Sequence, residues 1–114
     1  MREQLAHLPN DKPFLMLNAL WYKPDGGRAM YTQYLKAAQL FVEQTGAKAV
    51  NIAVPGVALI GEFDADLVFF VEYPNKQAFL DLINNPDYQA VAHLREEAII
   101  KSLLVPCFPI GGKS

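Results

Sequence analysis

By residue type, His93 is the side chain best suited to moving a proton near neutrality. It lies four residues after Gln89, three before Glu96 and four before Glu97, and on a helix those spacings make all three its neighbours. A carboxylate at that distance can orient an imidazole and stabilise its charged form, as a general acid or base requires. The alternative is an exposed helix histidine in an ordinary surface pair. Asn18 is the lone polar residue in the apolar run Phe14–Tyr22. If buried, its amide must be hydrogen-bonded, because leaving it unpaired costs roughly 1–3 kcal/mol. It can serve a ligand's carbonyl or oxyanion, or equally the backbone of its own fold. Trp21, Tyr31 and Tyr34 carry polar atoms on aromatic bodies, Tyr88 adds a phenol, and Arg95 adds a cation suited to a carboxylate. This set fits a site for a small apolar or aromatic molecule. It also fits a packed aromatic core with Arg95 paired to a nearby acid.

Other chemistries lack their residues. Glu62, Asp64 and Asp66 alternate in a turn, without the histidines of a zinc site or the loop spacing of a calcium site, so no metal is expected. Gly26-Gly27 has no following lysine motif and cannot be read as a phosphate loop. Cys107, between Pro106 and Phe108, reads as a packing residue, and His7 in the N-terminal arm has less support than His93.

The elements that must position these residues follow from periodicity. Phe14–Tyr22 reads as a strand with Phe14, Met16, Leu20 and Tyr22 on one face and Leu15, Leu17, Ala19 and Trp21 on the other, both apolar. Lys23–Gly27 is a turn. From Arg28 to about Thr45 the period becomes helical, with Tyr31, Tyr34 or Leu35, Ala38, and Phe41 or Val42 on one stripe and Gly46 as the terminating residue. Ala47–Glu62 reads as a long edge strand bent at Pro55-Gly56, joined by a tight connection at Phe63–Asp66 to a buried strand, Leu67–Val71. Tyr73-Pro74-Asn75 stops that strand and caps a helix. Asn85-Pro86 caps a second one, which carries Tyr88, His93 and Arg95. Ile99–Val105 is the last strand, and Gly111–Ser114 a flexible tail.

The order is β-α-β-β-α-β, a ferredoxin-like α+β fold with a four-stranded antiparallel sheet. The chain is expected to form a single domain over residues 1–114, with an arm at 1–12 and a tail at 107–114. Its helices can cover one face of the sheet, yet the strands are apolar on both. The apolar content of 52% and charged content of 19% point the same way. A second copy packed sheet to sheet, a homodimer, is the expected cover. A net charge of −2 without a basic run argues against nucleic acid. No stretch is apolar and long enough for a membrane span. One cysteine and no signal-like N-terminus suggest the cytoplasm.

The segments Phe14–Leu20, Leu67–Pro74, Ala78-Phe79-Leu80 and Asn85–His93 with Arg95 resemble domain-of-unknown-function family 1330, small and mainly bacterial proteins of the dimeric α+β-barrel superfamily. The resemblance covers roughly Leu8 to Val105. It implies the ferredoxin-like fold and the dimer, and it implies little about chemistry, since the superfamily includes cofactor-free monooxygenases, lactone isomerases and haem-dependent enzymes. The chain departs from the family pattern at Lys101-Ser102, where an acidic residue is expected ahead of the serine. Two functions remain in view. One is a cofactor-free enzyme or binder of a small apolar molecule, with Asn18, Trp21, Tyr31, Tyr34, Tyr88 and Arg95 in contact with it and His93 as catalyst. The other is a non-catalytic dimeric module whose apolar surplus serves only the interface. No cofactor is expected, and His93 lacks the context of a haem ligand.

Overall fold

The computed structural model describes residues 2–110. The Gly111–Ser114 tail lies outside them. The elements are α1 (Arg2–Leu5), β1 (Phe14–Tyr22), α2 (Gly27–Gln44), β2 (Lys48–Ala53), β3 (Leu67–Tyr73), α3 (Lys76–Asn84), α4 (Pro86–Ala98) and β4 (Ile99–Cys107). The strands form one sheet in the order β2-β3-β1-β4, with every neighbouring pair antiparallel. This is the ferredoxin-like arrangement, with its second helix split in two. The split follows from the sequence. Asn75 accepts a hydrogen bond from Ala78 N (2.9 Å) to start α3. Asn85 then accepts from Asp87 N (2.9 Å), with Pro86 in the first turn of α4.

The core lies between the sheet and the three long helices. Phe14, Met16 and Leu20 of β1 and Leu67, Phe69, Val71 and Tyr73 of β3 point into it. Tyr31, Tyr34 and Ala38 face them from α2, and Ala78, Phe79 and Leu82 from α3. Phe14 stacks on Tyr73 at 5.3 Å, and Phe79 meets Tyr73 edge-on at 5.3 Å. Burial pushes the phenols of Tyr31, Tyr34 and Tyr73 well above their ordinary value.

Two expectations are corrected. The second strand ends at Ala53 rather than near Glu62. Its register against β3 slips by one residue between Val50 and Ala53, where Asn51 takes φ +54°, and Ala53 opposite Val68 is its last rung. Because β3 begins at Leu67, no partner strand remains for residues beyond Ala53, and Pro55 offers no donor. The connection is therefore the long segment 54–66, with Val57, Leu59 and Ile60 each at least 94% exposed. The radius of gyration, 14.6 Å, exceeds the about 13 Å expected of a compact chain this long, as a projecting arm requires. The last strand runs two residues further than Val105. Pro106 sits opposite Met16, which an edge strand tolerates because one of its backbone sides needs no partner.

The return of the arm is pinned. Trp21 Nε1 donates to Asp64 Oδ1 (2.8 Å), Tyr22 N donates to Asp66 Oδ2 (2.8 Å), and Asp66 N donates to Leu20 O (2.7 Å). The sheet face away from the helices carries Leu15, Leu17, Val68 and Phe70, half-buried, flanked by Leu103 and Val105, which are 40% and 42% exposed. Lys48 and Glu72 form an ion pair (3.6 Å) at its rim. No element among the described residues covers it.

Two predictions follow from this packing. A Cβ on Gly27 would lie 2.5 Å from the Ala98 carbonyl oxygen, where the start of α2 meets the end of α4. Gly27→Ala is expected to destabilise the fold by about 1–3 kcal/mol, despite alanine's better helix propensity. An unchanged denaturation midpoint would refute that close approach. The buried phenols set an alkaline limit. Each has a folded pKa above its unfolded value of about 10, so its contribution is full below pH 10 and lost as pH rises beyond it. Phenolate absorbance from these tyrosines should appear together with loss of helical circular dichroism. Ionisation of every tyrosine near pH 10 with the fold intact would contradict it.

Candidate functional site

Helices α2 and α4 run side by side over the sheet, and their backbones approach each other closely. Between them and the sheet lies an open cavity of about 500 Å³. Its apolar walls are Phe69 and Val71 from β3, Phe79, Leu82 and Ile83 from α3, and Ala38 from α2. Exposed Gln39, Glu43, Lys48 and Ile52 form its rim.

Five polar side chains named from the sequence converge here: Asn18, Tyr31, Tyr34, Tyr88 and Arg95. Strand parity brings Asn18, which is 6% exposed, to the helix side of β1. Its Nδ2 donates to Met16 O (3.1 Å), so one amide hydrogen serves the fold itself. Tyr31 and Tyr34, one helical turn apart, both face the sheet, with rings 5.3 Å apart. The Tyr34 and Tyr88 hydroxyls are 2.7 Å apart and share one hydrogen bond. Two hydroxyls hold two protons, so this bond leaves one O–H free to donate. Desolvation is the main cause of the raised Tyr31 and Tyr34 pKa values, with the Arg95 charge opposing it at both. The phenols are therefore protonated donors at neutral pH.

Arg95 is reached from Tyr88 by seven residues of α4, two turns on the same face. The guanidinium bears on the Tyr31 hydroxyl through charge and a hydrogen bond, while its Nη2 is buried without a hydrogen-bond partner. Among the described residues no carboxylate lies within 4.0 Å of it, and the one ion pair is Lys48–Glu72.

The other two candidates stand elsewhere. Trp21 lies on the opposite sheet face, bonded to Asp64, edge-on to Phe63 at 6.0 Å and beneath the Lys101 ammonium at 4.4 Å. Lys101, the departure from the family pattern, thus serves a cation–π contact here. His93 is exposed and does not line the cavity. Five residues beyond Tyr88, at about 100° per residue, it sits about 140° round α4 from that tyrosine. Gln89, its expected neighbour, donates instead to Ile83 O (3.0 Å). Phe69, Phe79 and Leu82 line the cavity without having been named for it. Their signal was present in the period-two pattern of β3 and the apolar stripe of α3, both of which face Tyr31 and Tyr34. Among the described residues, no group of three or more His, Cys, Asp or Glu could hold a metal ion, and no helix is long and apolar enough to cross a membrane.

The fold has solved counterparts. A protein of unknown function from Rhodopseudomonas palustris superposes with a TM-score of 0.87 at 28% identity, over 96% of this chain and 92% of that one. A dabb family protein with a ferredoxin-like fold from Mesorhizobium loti reaches 0.59 at 15% identity, over 87% and 98%. A dimeric protein of unknown function and ferredoxin-like fold from Bacteroides fragilis reaches 0.50 at 9% identity, over 82% and 93%. At those last two identities the likeness speaks to fold alone. No curated protein matches the sequence. The family model described as "Domain of unknown function (DUF1330)" matches residues 26–106, from the turn before α2 into β4, so the cavity-forming helices and most of the sheet lie within it. The chain belongs to the DUF1330 family.

Proposed function

We propose that this protein binds a small, largely apolar or aromatic molecule in the cleft between sheet and helices, and does so as a homodimer. The observation that carries the binding reading is the convergence of Asn18, Tyr31, Tyr34, Tyr88 and Arg95 on one apolar-walled cavity. Its volume of about 500 Å³ lies within the usual range for ligand sites. Apolar walls supply affinity by burial, and a few fixed donors supply orientation. Binding suits this lining better than turnover does: His93, the side chain best suited to moving a proton near neutrality, stands outside it. A reducing, cytoplasmic setting suits the single cysteine, Cys107.

The homodimer is supported by the open sheet face and by the arm. Val57, Leu59 and Ile60 stand in water, although burying each would contribute on the order of 1.5–3 kcal/mol. Leu17, Phe70, Leu103 and Val105 on the open sheet face add further apolar groups that no described element covers. The Bacteroides fragilis protein of the same fold is described as dimeric. A module whose apolar surplus serves only this interface is the second reading, and it requires the cavity to stay empty.

Native mass spectrometry against a mixture of small aromatic and alkyl compounds should reveal one-to-one adducts per subunit. Ala92→Phe, which fills the cavity from α4, should abolish them with little change in melting temperature. An absence of adducts, or adducts indifferent to Ala92→Phe, would return the protein to the second reading. For the dimer, sedimentation at micromolar concentration is expected to give twice the monomer mass. Phe70→Asp on the open face should unfold the chain rather than release soluble monomers. A stable wild-type monomer at that concentration would refute the dimer.

A further inference from the structure

We infer that the molecule held in this cavity carries a carboxylate, seated on Arg95 Nη2 and a neighbouring phenol, with its apolar body over Phe69, Val71, Phe79 and Leu82. This deepens the binding reading above and rests on it. A guanidinium is charged at every accessible pH, and Arg95, half-buried as a residue, holds one nitrogen, Nη2, out of contact with solvent. Arg95 Nη2 has neither a hydrogen-bond partner nor a carboxylate within 4.0 Å among the described residues. The carboxylates nearest in the lining, Glu43 and Glu96, are exposed and make no ion pair with it. The other cation of the lining, Lys48, is engaged with Glu72 at the rim. The cavity therefore presents one uncompensated positive charge beside an apolar wall, and an anionic ligand would complete it.

A carboxylate fits better than a phosphate. Of the two cations in the lining, Arg95 alone makes no ion pair; it balances a single negative charge, whereas a phosphate monoester carries up to two and three strong acceptor oxygens. One carboxylate oxygen can take the guanidinium, and the other the O–H left free by the Tyr34–Tyr88 bond. A phenol is protonated at neutral pH, its ordinary pKa being about 10, so that O–H is there to donate. Asn18, with one amide hydrogen committed to Met16, is available to a carbonyl or hydroxyl further along the ligand.

Isothermal titration with three matched probes tests this: naphthoate, its neutral isostere naphthamide, and naphthylphosphonate. A charge-assisted contact predicts naphthoate binding about tenfold or more tighter than naphthamide, and tighter than the phosphonate. Arg95→Met should bring naphthoate down to the naphthamide affinity while naphthamide stays bound by the apolar wall. Arg95→Gln repeats the comparison with a second neutral side chain. The wild-type comparison alone decides the preference, whatever the stability of the variants. Equal affinities for naphthoate and naphthamide would overturn the carboxylate while leaving the cavity a binding site. So would a preference for the phosphonate, or a naphthoate preference that survives Arg95→Met. Failure of all three probes to bind would overturn this inference and count against the binding reading as well.

Discussion

A phenol taken out of water must keep a hydrogen bond, and the helical layer of this protein is arranged around that requirement. Tyr34 from α2 and Tyr88 from α4 meet hydroxyl to hydroxyl at 2.7 Å, tying together two helices that run side by side over the sheet. Large aromatic side chains then set the spacing between the layers. Phe14, Tyr73 and Phe79 fill one end of the gap, and Tyr22 and Tyr31, 6.0 Å apart, fill the other. Several of these rings, Tyr31, Tyr73 and Phe79, also form walls of the cavity. The cavity is thus a product of how the core is built. Its polar lining is the same set of groups that the tyrosine pair brings inward.

The second constraint is the sheet. β1 lies at its centre, hydrogen-bonded on both sides, and its residues alternate between two apolar environments. The even positions meet α2 and α3. The odd positions, Leu15 and Leu17, meet no further element among the described residues. The 54–66 arm rises from the same side of the molecule's chemistry: apolar, without a period, and fastened at its return by Asp64 and Asp66 to Trp21 and Tyr22. An arm anchored by carboxylates at its root and apolar at its tip is built to lie on another surface. The proposed sheet-to-sheet dimer would supply one, and would leave the cavity on the opposite side of each sheet free for its own occupant.

Much of this was legible in the sequence wherever a period or a cap governs the backbone. The limits of β1 and the helix starts at Asn75 and Asn85 follow from alternation and from side chains that can accept backbone N–H groups. Those same periods bring Asn18, Tyr31, Tyr34, Tyr88 and Arg95 to one cavity. Trp21 belongs to the odd positions of β1, so its own strand parity separates it from Asn18. His93 is set apart from Tyr88 and Arg95 by helical phase. The arm was not legible, because an apolar run without alternation looks like a buried strand until the length of its partner is known. That no acid of the described residues meets Arg95 was not legible either, since it depends on distances between elements far apart in the chain.

The central claim is that the cavity holds a ligand with Arg95 at its polar end. A crystal structure of the protein purified from its native cells, without added ligand, tests it most directly. The account predicts continuous density in the cavity that is neither protein nor water, with an acceptor within about 3 Å of Arg95 Nη2 and an apolar body against Phe79 and Leu82. A cavity closed over by its own side chains, with Arg95 paired to Glu43 or Glu96, would contradict it.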